Sequence, residues 1–167
     1  MTSWLAGKTA RLMGAHPVIE QALVAAGARM VTDGDCDVCI HVAAPPPVVP
    51  AHEQAHDAWR HTLADGLDNR FFAAQAFAAS CRERNATGAI LFVGAPEQAL
   101  GADQAAAAGA LINLTKTLAV EWARDGIRVN CILTQRDDLP VGRLATYLVS
   151  DYAAYVTGAI MGVDTND

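Results

Sequence analysis

The sequence has no cluster of Lys or Arg, and its formal net charge is -6 with a pI near 5.2. It offers nothing that could neutralise a run of phosphates, which excludes nucleic acid as a partner. No apolar run approaches the ~18 residues that a membrane span requires. The opening MTSWLAGKTARLMG lacks the basic start and long apolar core of a signal peptide, so a cytoplasmic location is expected. There are no internal repeats, and the only biased patch is the connector APPPVVP at 44–50. Charge itself is scarce: 18% of residues are charged and 52% are hydrophobic. At 167 residues and 17.6 kDa the chain is long enough for one domain with a real core. The apolar excess points to an oligomer or a partner.

Cysteine occurs at 36, 39, 81 and 131, and Cys36–Cys39 with nearby His41 has the outline of a zinc or redox motif. No second Cys/His pair completes a tetrahedral site. Val38 to Val42 (VCIHV) reads as a buried strand, in which residues three apart face opposite sides. Ordinary buried thiols are therefore expected, and no metal site.

Apolar runs alternate with helical spacing along the chain. Strands are expected at 9–13 (TARLM), 28–31 (ARMV), 38–42, 88–93 (GAILFV) and 127–133 (IRVNCIL), with a last one near AIMGVD at 159–164. Helices are expected at 18–26, from about Ala51 through Arg84 with a join around Asp65–Gly66, at 103–124, and at LATYLVSD, 144–151. Near-continuous apolar strands alternating with helices predict a parallel, doubly wound α/β sheet of about six strands with helices on both faces.

In that order of elements, LINLTKTLAVEWARDGIRVNCI (111–132) resembles the signature helix and strand of the short-chain dehydrogenase/reductase family. KTARLMGA with VIEQALVAAGARMV resembles its opening strand, helix and second strand. DVCIHVAAP resembles the strand that ends in Asn-Asn-Ala-Gly, and GRLATYLVSDYAAYVTGAIMGVD resembles the terminal helix and strand. The resemblance implies a single truncated Rossmann-like domain over 1–167, lacking the Gly-rich loop, the third-strand region and the substrate loop. It also implies where the family's chemistry should lie. The Tyr-x-x-x-Lys pair falls on Gln104 and Ala108, the serine near Ala95 and the helix asparagine near Gly66. An amide and a methyl supply no titratable proton near neutrality.

The family's Gly-x-x-x-Gly-x-Gly turn is replaced by Gly14–Ala15–His16–Pro17, and Pro17 has no N–H to offer a phosphate. Gly14 is at most a weak relic of that turn, and Asp33 of the acidic residue that binds ribose; a solvated turn is the simpler reading of Asp33. Loss of the charge-assisted phosphate and ribose contacts weakens binding by roughly 5 kcal/mol, which moves a micromolar cofactor into the millimolar range. The expectation from sequence is therefore a pseudoenzyme, not an enzyme on its own and binding no cofactor. It would assemble with an active paralogue into a heteromer, a heterotetramer by resemblance. That partner would hold NAD(P) and act on a carbonyl compound such as a hydroxyacyl-CoA. Phe71, Phe72, Trp122, Tyr152, Tyr155 and Met161 are the candidate interface residues. The alternatives are a cofactor-independent, lyase-like enzyme or a ligand-binding homo-oligomer. Either would use a remodelled pocket near His41, with His16, His61 and Asp103 also available.

Overall fold

The computed structural model describes residues 3–43, 46–95 and 101–163. Pro45 of the proline run, Pro96 and Glu97 just after Ala95, and Asp164 of the expected last strand lie outside them.

Parallel strands β1 (Thr9–Met13), β2 (Arg29–Met30), β3 (Val38–Val42), β4 (Gly88–Gly94), β5 (Ile127–Leu133) and β6 (Ile160–Gly162) form one sheet. Its order is β2-β1-β3-β4-β5-β6. The chain therefore winds one way from β1 to β2 and the other way from β3 onwards. The switch in direction lies between β1 and β3, and in open α/β sheets ligands gather beyond the strand ends near such a point. The helices are α1 (Pro17–Ala25), α2 (His56–Leu63), α3 (Asn69–Glu83), α4 (Ala102–Trp122) and α5 (Leu139–Val149). A π-helical turn at Ala64–Asp68 joins α2 to α3 without a break. The join expected around Asp65–Gly66 is this turn.

The two-residue alternation of the strands divides the core into two layers. Ala89, Leu91 and Val93 of β4 and Ile40 of β3 pack with Ile19, Leu23, Val141, Ala145 and Leu148 from α1 and α5. Ile90 and Phe92 of β4 pack on the opposite face with Ala74, Phe77, Leu111, Leu118 and Trp122 from α3 and α4. Side chains such as Ile40, Leu91 and Ile132, each 0% exposed, contribute about 1.5–3 kcal/mol apiece. β6 holds its edge position through polar side chains of β5. Asn130 Nδ2 donates to the Val156 carbonyl at 2.9 Å and Oδ1 accepts from Ala159 N–H at 3.0 Å, while Arg128 donates to the carbonyls of Leu148 and Ser150. The Val-Thr-Gly step is thus a clamp: Thr157 Oγ1 accepts from Val129 N–H, and Gly158 N–H donates to the Val129 carbonyl.

Two expectations need correction. Cys36 lies ahead of β3, so strand alternation does not apply to it, and Cys36 and Cys39 enter the same core layer. Both thiols are buried and free, and burial pushes Cys39 up to about 12. Trp122 is 5% exposed and belongs to the core beneath α4 instead of an outer surface. Among the other interface candidates, Phe71 and Met161 are half-buried against the core. Phe72, Tyr152 and Tyr155 are exposed.

Candidate functional site

A cavity of about 250 Å3 opens at the carboxyl ends of β3 and β4. Its walls are the segment after β3 (Ala43, Pro46), the segment from α2 to α3, the end of β4 (Gly94, Ala95) and the first half of α4. Gly66, Ala95, Gln104 and Ala108, the four positions marked by the family resemblance, all line it. They are far apart in sequence, and the fold brings them together. Gly14 and Asp33 are not part of this wall; Asp33 sits exposed in a bend after β2.

Local packing explains the small residues. Ala107 and Ala108 turn inward while Ala105 and Ala106 are exposed. A methyl placed on Gly66 would come within 2.9 Å of the Ala107 methyl, so glycine there lets the π-helical turn approach α4 closely. Gln104, 4% exposed, donates from Nε2 to the Pro46 carbonyl and ties α4 to the segment after β3. Asp103 is also buried. Its Oδ2 accepts from Thr62 Oγ1 at 2.6 Å and from Gln54 Nε2 at 3.2 Å, while Oδ1 has no partner among the described residues.

The ionisable groups at the cavity are His61, Asp65 and Arg70. His61 Nε2 lies 3.2 Å from Asp65 Oδ2, one helical turn on, at the open rim. Arg70 lies deep and donates from Nη2 to the Val93 carbonyl at 2.8 Å. Burial lowers its pKa to about 10, partly opposed by Cys131, so it remains a cation at neutral pH. Sequence reasoning did not single out Arg70. The available signal was its register with Ala74, Phe77, Ala78 and Cys81, the buried stripe of its own helix.

His41 does not line the cavity, which corrects the expectation of a pocket built around it. It is buried at the end of β3, and its Nδ1 has no partner among the described residues. Burial, and next the Arg70 cation, push its pKa down to about 4, with Asp65 pulling the other way. A pH dependence of stability follows. Between the unfolded value near 6.5 and about 4, the unfolded chain binds a proton that the folded chain refuses. Stability is therefore expected to fall by up to about 3 kcal/mol as pH drops from 6.5 to 4. Urea titrations across that range should show the loss, and His41→Gln should flatten it.

The turn before α1 differs from a phosphate cradle in its details. His16 occupies the N-cap, 8% exposed, and Pro17 the first helical position. Gly14 adopts φ +86, and a side chain there would overlap the Val42 carbonyl. This glycine serves the contact between β1 and β3. Among the described residues, no three of His, Cys, Asp and Glu gather as a metal site, and no helix is long and apolar enough to cross a membrane.

Comparison with known proteins gives the site a context. The family described as Enoyl-(Acyl carrier protein) reductase matches residues 18–136. Galactitol 2-dehydrogenase (L-tagatose-forming) of Cereibacter sphaeroides is 29% identical, over 86% of this chain and 70% of its own length. D-threitol dehydrogenase of Mycolicibacterium smegmatis is 30% identical, over 90% of this chain and 73% of its own. For another curated relative the alignment spans 58% of its length. Gluconate 5-dehydrogenase from Burkholderia cenocepacia J2315, solved in complex with NADP and tartrate, superposes with a TM-score of 0.85 at 21% identity. It covers 96% of this chain and 94% of that one. These relatives overturn the expectation that the chain is not an enzyme on its own, because they are named dehydrogenases. The physical reason is visible in the cavity. The four positions line a formed pocket that also carries ionisable groups, His61, Asp65 and Arg70.

Proposed function

The chain belongs to the short-chain dehydrogenase/reductase family of oxidoreductases, and on that premise we propose that it works in NAD(P)-dependent oxidoreduction of a small carbonyl or hydroxy compound. In this reading it does so within a mixed assembly with a paralogue of the same family, and it brings its own cavity to that assembly. The observation that carries the proposal is the convergence of the four family positions on one cavity at the carboxyl edge of the sheet.

The residues at 14–17 fit a dinucleotide pyrophosphate poorly. Pro17 supplies no N–H, and the space beside Gly14 is taken by the Val42 carbonyl. This supports placing NAD(P) on the paralogue, and no step of the chemistry is routed through the turn. Support for assembly comes from the surface. Phe72 on α3 and Val120 on α4 are 60% and 80% exposed, and Tyr152 and Tyr155 stand out near the C-terminal strand. Large exposed apolar groups on both long helices suit a helix-to-helix contact between subunits.

Co-expression with the nearest full-length paralogue, followed by native mass spectrometry, tests the proposal. A stable mixed species is expected. A uniform self-assembly that ignores the paralogue would overturn it and favour the second reading, proton transfer in the cavity without a cofactor. The observation behind that second reading is the His61–Asp65 pair at 3.2 Å on the rim, a base and its orienting carboxylate.

A further inference from the structure

Arg70 has a buried guanidinium at the base of the cavity, with one of its three nitrogens engaged. The residue is 2% exposed, and Nη2 alone is engaged, by the Val93 carbonyl. Among the described residues, Nε and Nη1 have no acceptor and no carboxylate pairs with the side chain. A cation held out of water with open donors is costly unless an anion completes it.

The surroundings leave a place for that anion. Gly94 lines the cavity, and a Cβ built on it would lie 3.2 Å from Nη1 and 3.3 Å from Leu111 Cδ2. A side chain at 94 would press on Nη1 and on Leu111, so glycine there keeps this end of the cavity clear beside the guanidinium. The nearby carboxylates have other partners, Asp65 in His61 and Asp103, through Oδ2 alone, in Thr62 and Gln54. His41, the next titratable group, is neutral at pH 7, and Cys131 is held as a thiol by burial. Beyond this end the wall is apolar, formed by Ala107, Ala108 and Leu111.

We propose that Arg70 is the anion anchor of this cavity, and that the ligand is a small organic acid. Its carboxylate takes the Arg70 guanidinium as counter-ion at the Gly94 end of the cavity, and its short apolar body lies along Ala107, Ala108 and Leu111. This deepens the proposed function by naming what the cavity takes. It rests on the cavity being a binding site and not on the mixed assembly.

Calorimetric titration of the full chain with butyrate and with butyramide, at fixed ionic strength, separates charge from shape. Saturable butyrate binding is expected, with butyramide at least tenfold weaker. Arg70→Met should lose butyrate affinity at least tenfold, and Arg70→Lys should recover part of it. The Arg70 Nε–H resonance of the unmodified chain should shift on adding butyrate, which holds even if a variant fails to fold. No binding of butyrate, equal binding of the neutral amide, full affinity in Arg70→Met or an unmoved Nε–H resonance would each overturn the assignment. Native mass reports the assembly independently of all these outcomes.

Discussion

Gly14→Ala is expected to destabilise the chain by about 4 kcal/mol or more, close to the whole stability of a small domain. Two effects add at this position. The backbone has φ +86, which an L side chain adopts only with strain. The new methyl would also overlap the Val42 carbonyl, at the point where the chain leaves β1 beside the end of β3. A flexible side chain could move aside, but a strand carbonyl can yield only by separating β1 from β3. Urea unfolding should show a collapsed or absent cooperative transition. A loss near 1 kcal/mol would mean that β1 and β3 are not in such close contact. The family resemblance marks the same glycine as a relic of a phosphate-binding turn, whereas the geometry gives it a structural duty.

Trp122→Ala is expected to cost about 3–5 kcal/mol in the isolated chain, because it removes a buried aromatic and leaves a cavity under α4. Trp122 packs in the layer containing Leu118, Ile127 and Val129. Tyr155, by contrast, is fully exposed, and Tyr155→Ala should change the isolated chain's stability by no more than about 0.5 kcal/mol. The same urea titration checks both. If Trp122 were an assembly residue, its alanine variant would keep the stability of the isolated chain and lose only the partner.

The sheet was legible because β3, β4 and β5 are buried on both faces and read as near-continuous apolar runs; β5 begins and ends where the run IRVNCIL does. Edges were less legible. β2 pairs over only two residues, too few for periodicity to set its ends. In the helical region after residue 51, the π-helical turn shifts the buried face between α2 and α3. No simple 3.6-residue count follows such a shift. The cavity was half legible. Its four wall positions, Gly66, Ala95, Gln104 and Ala108, were reached through the family resemblance, which places residues by order of elements. Arg70 was missed because an arginine on a helix normally projects into water, and that prior outweighed its register with the buried stripe of α3; its bond to the Val93 carbonyl shows it turned inward. Trp122 failed in the opposite sense: a large apolar side chain near a helix end has no sequence signal that separates core from contact surface.

In the proposed assembly this chain contributes the β3/β4 cavity and leaves the dinucleotide to a partner. NADPH titration of the chain alone, beside the same titration of the co-expressed assembly, tests it most directly. No saturable binding to the isolated chain is expected at micromolar NADPH, and binding to the assembly is expected in proportion to the paralogue it contains. Tight, stoichiometric NADPH binding by the isolated chain would contradict it and identify a self-sufficient dinucleotide site.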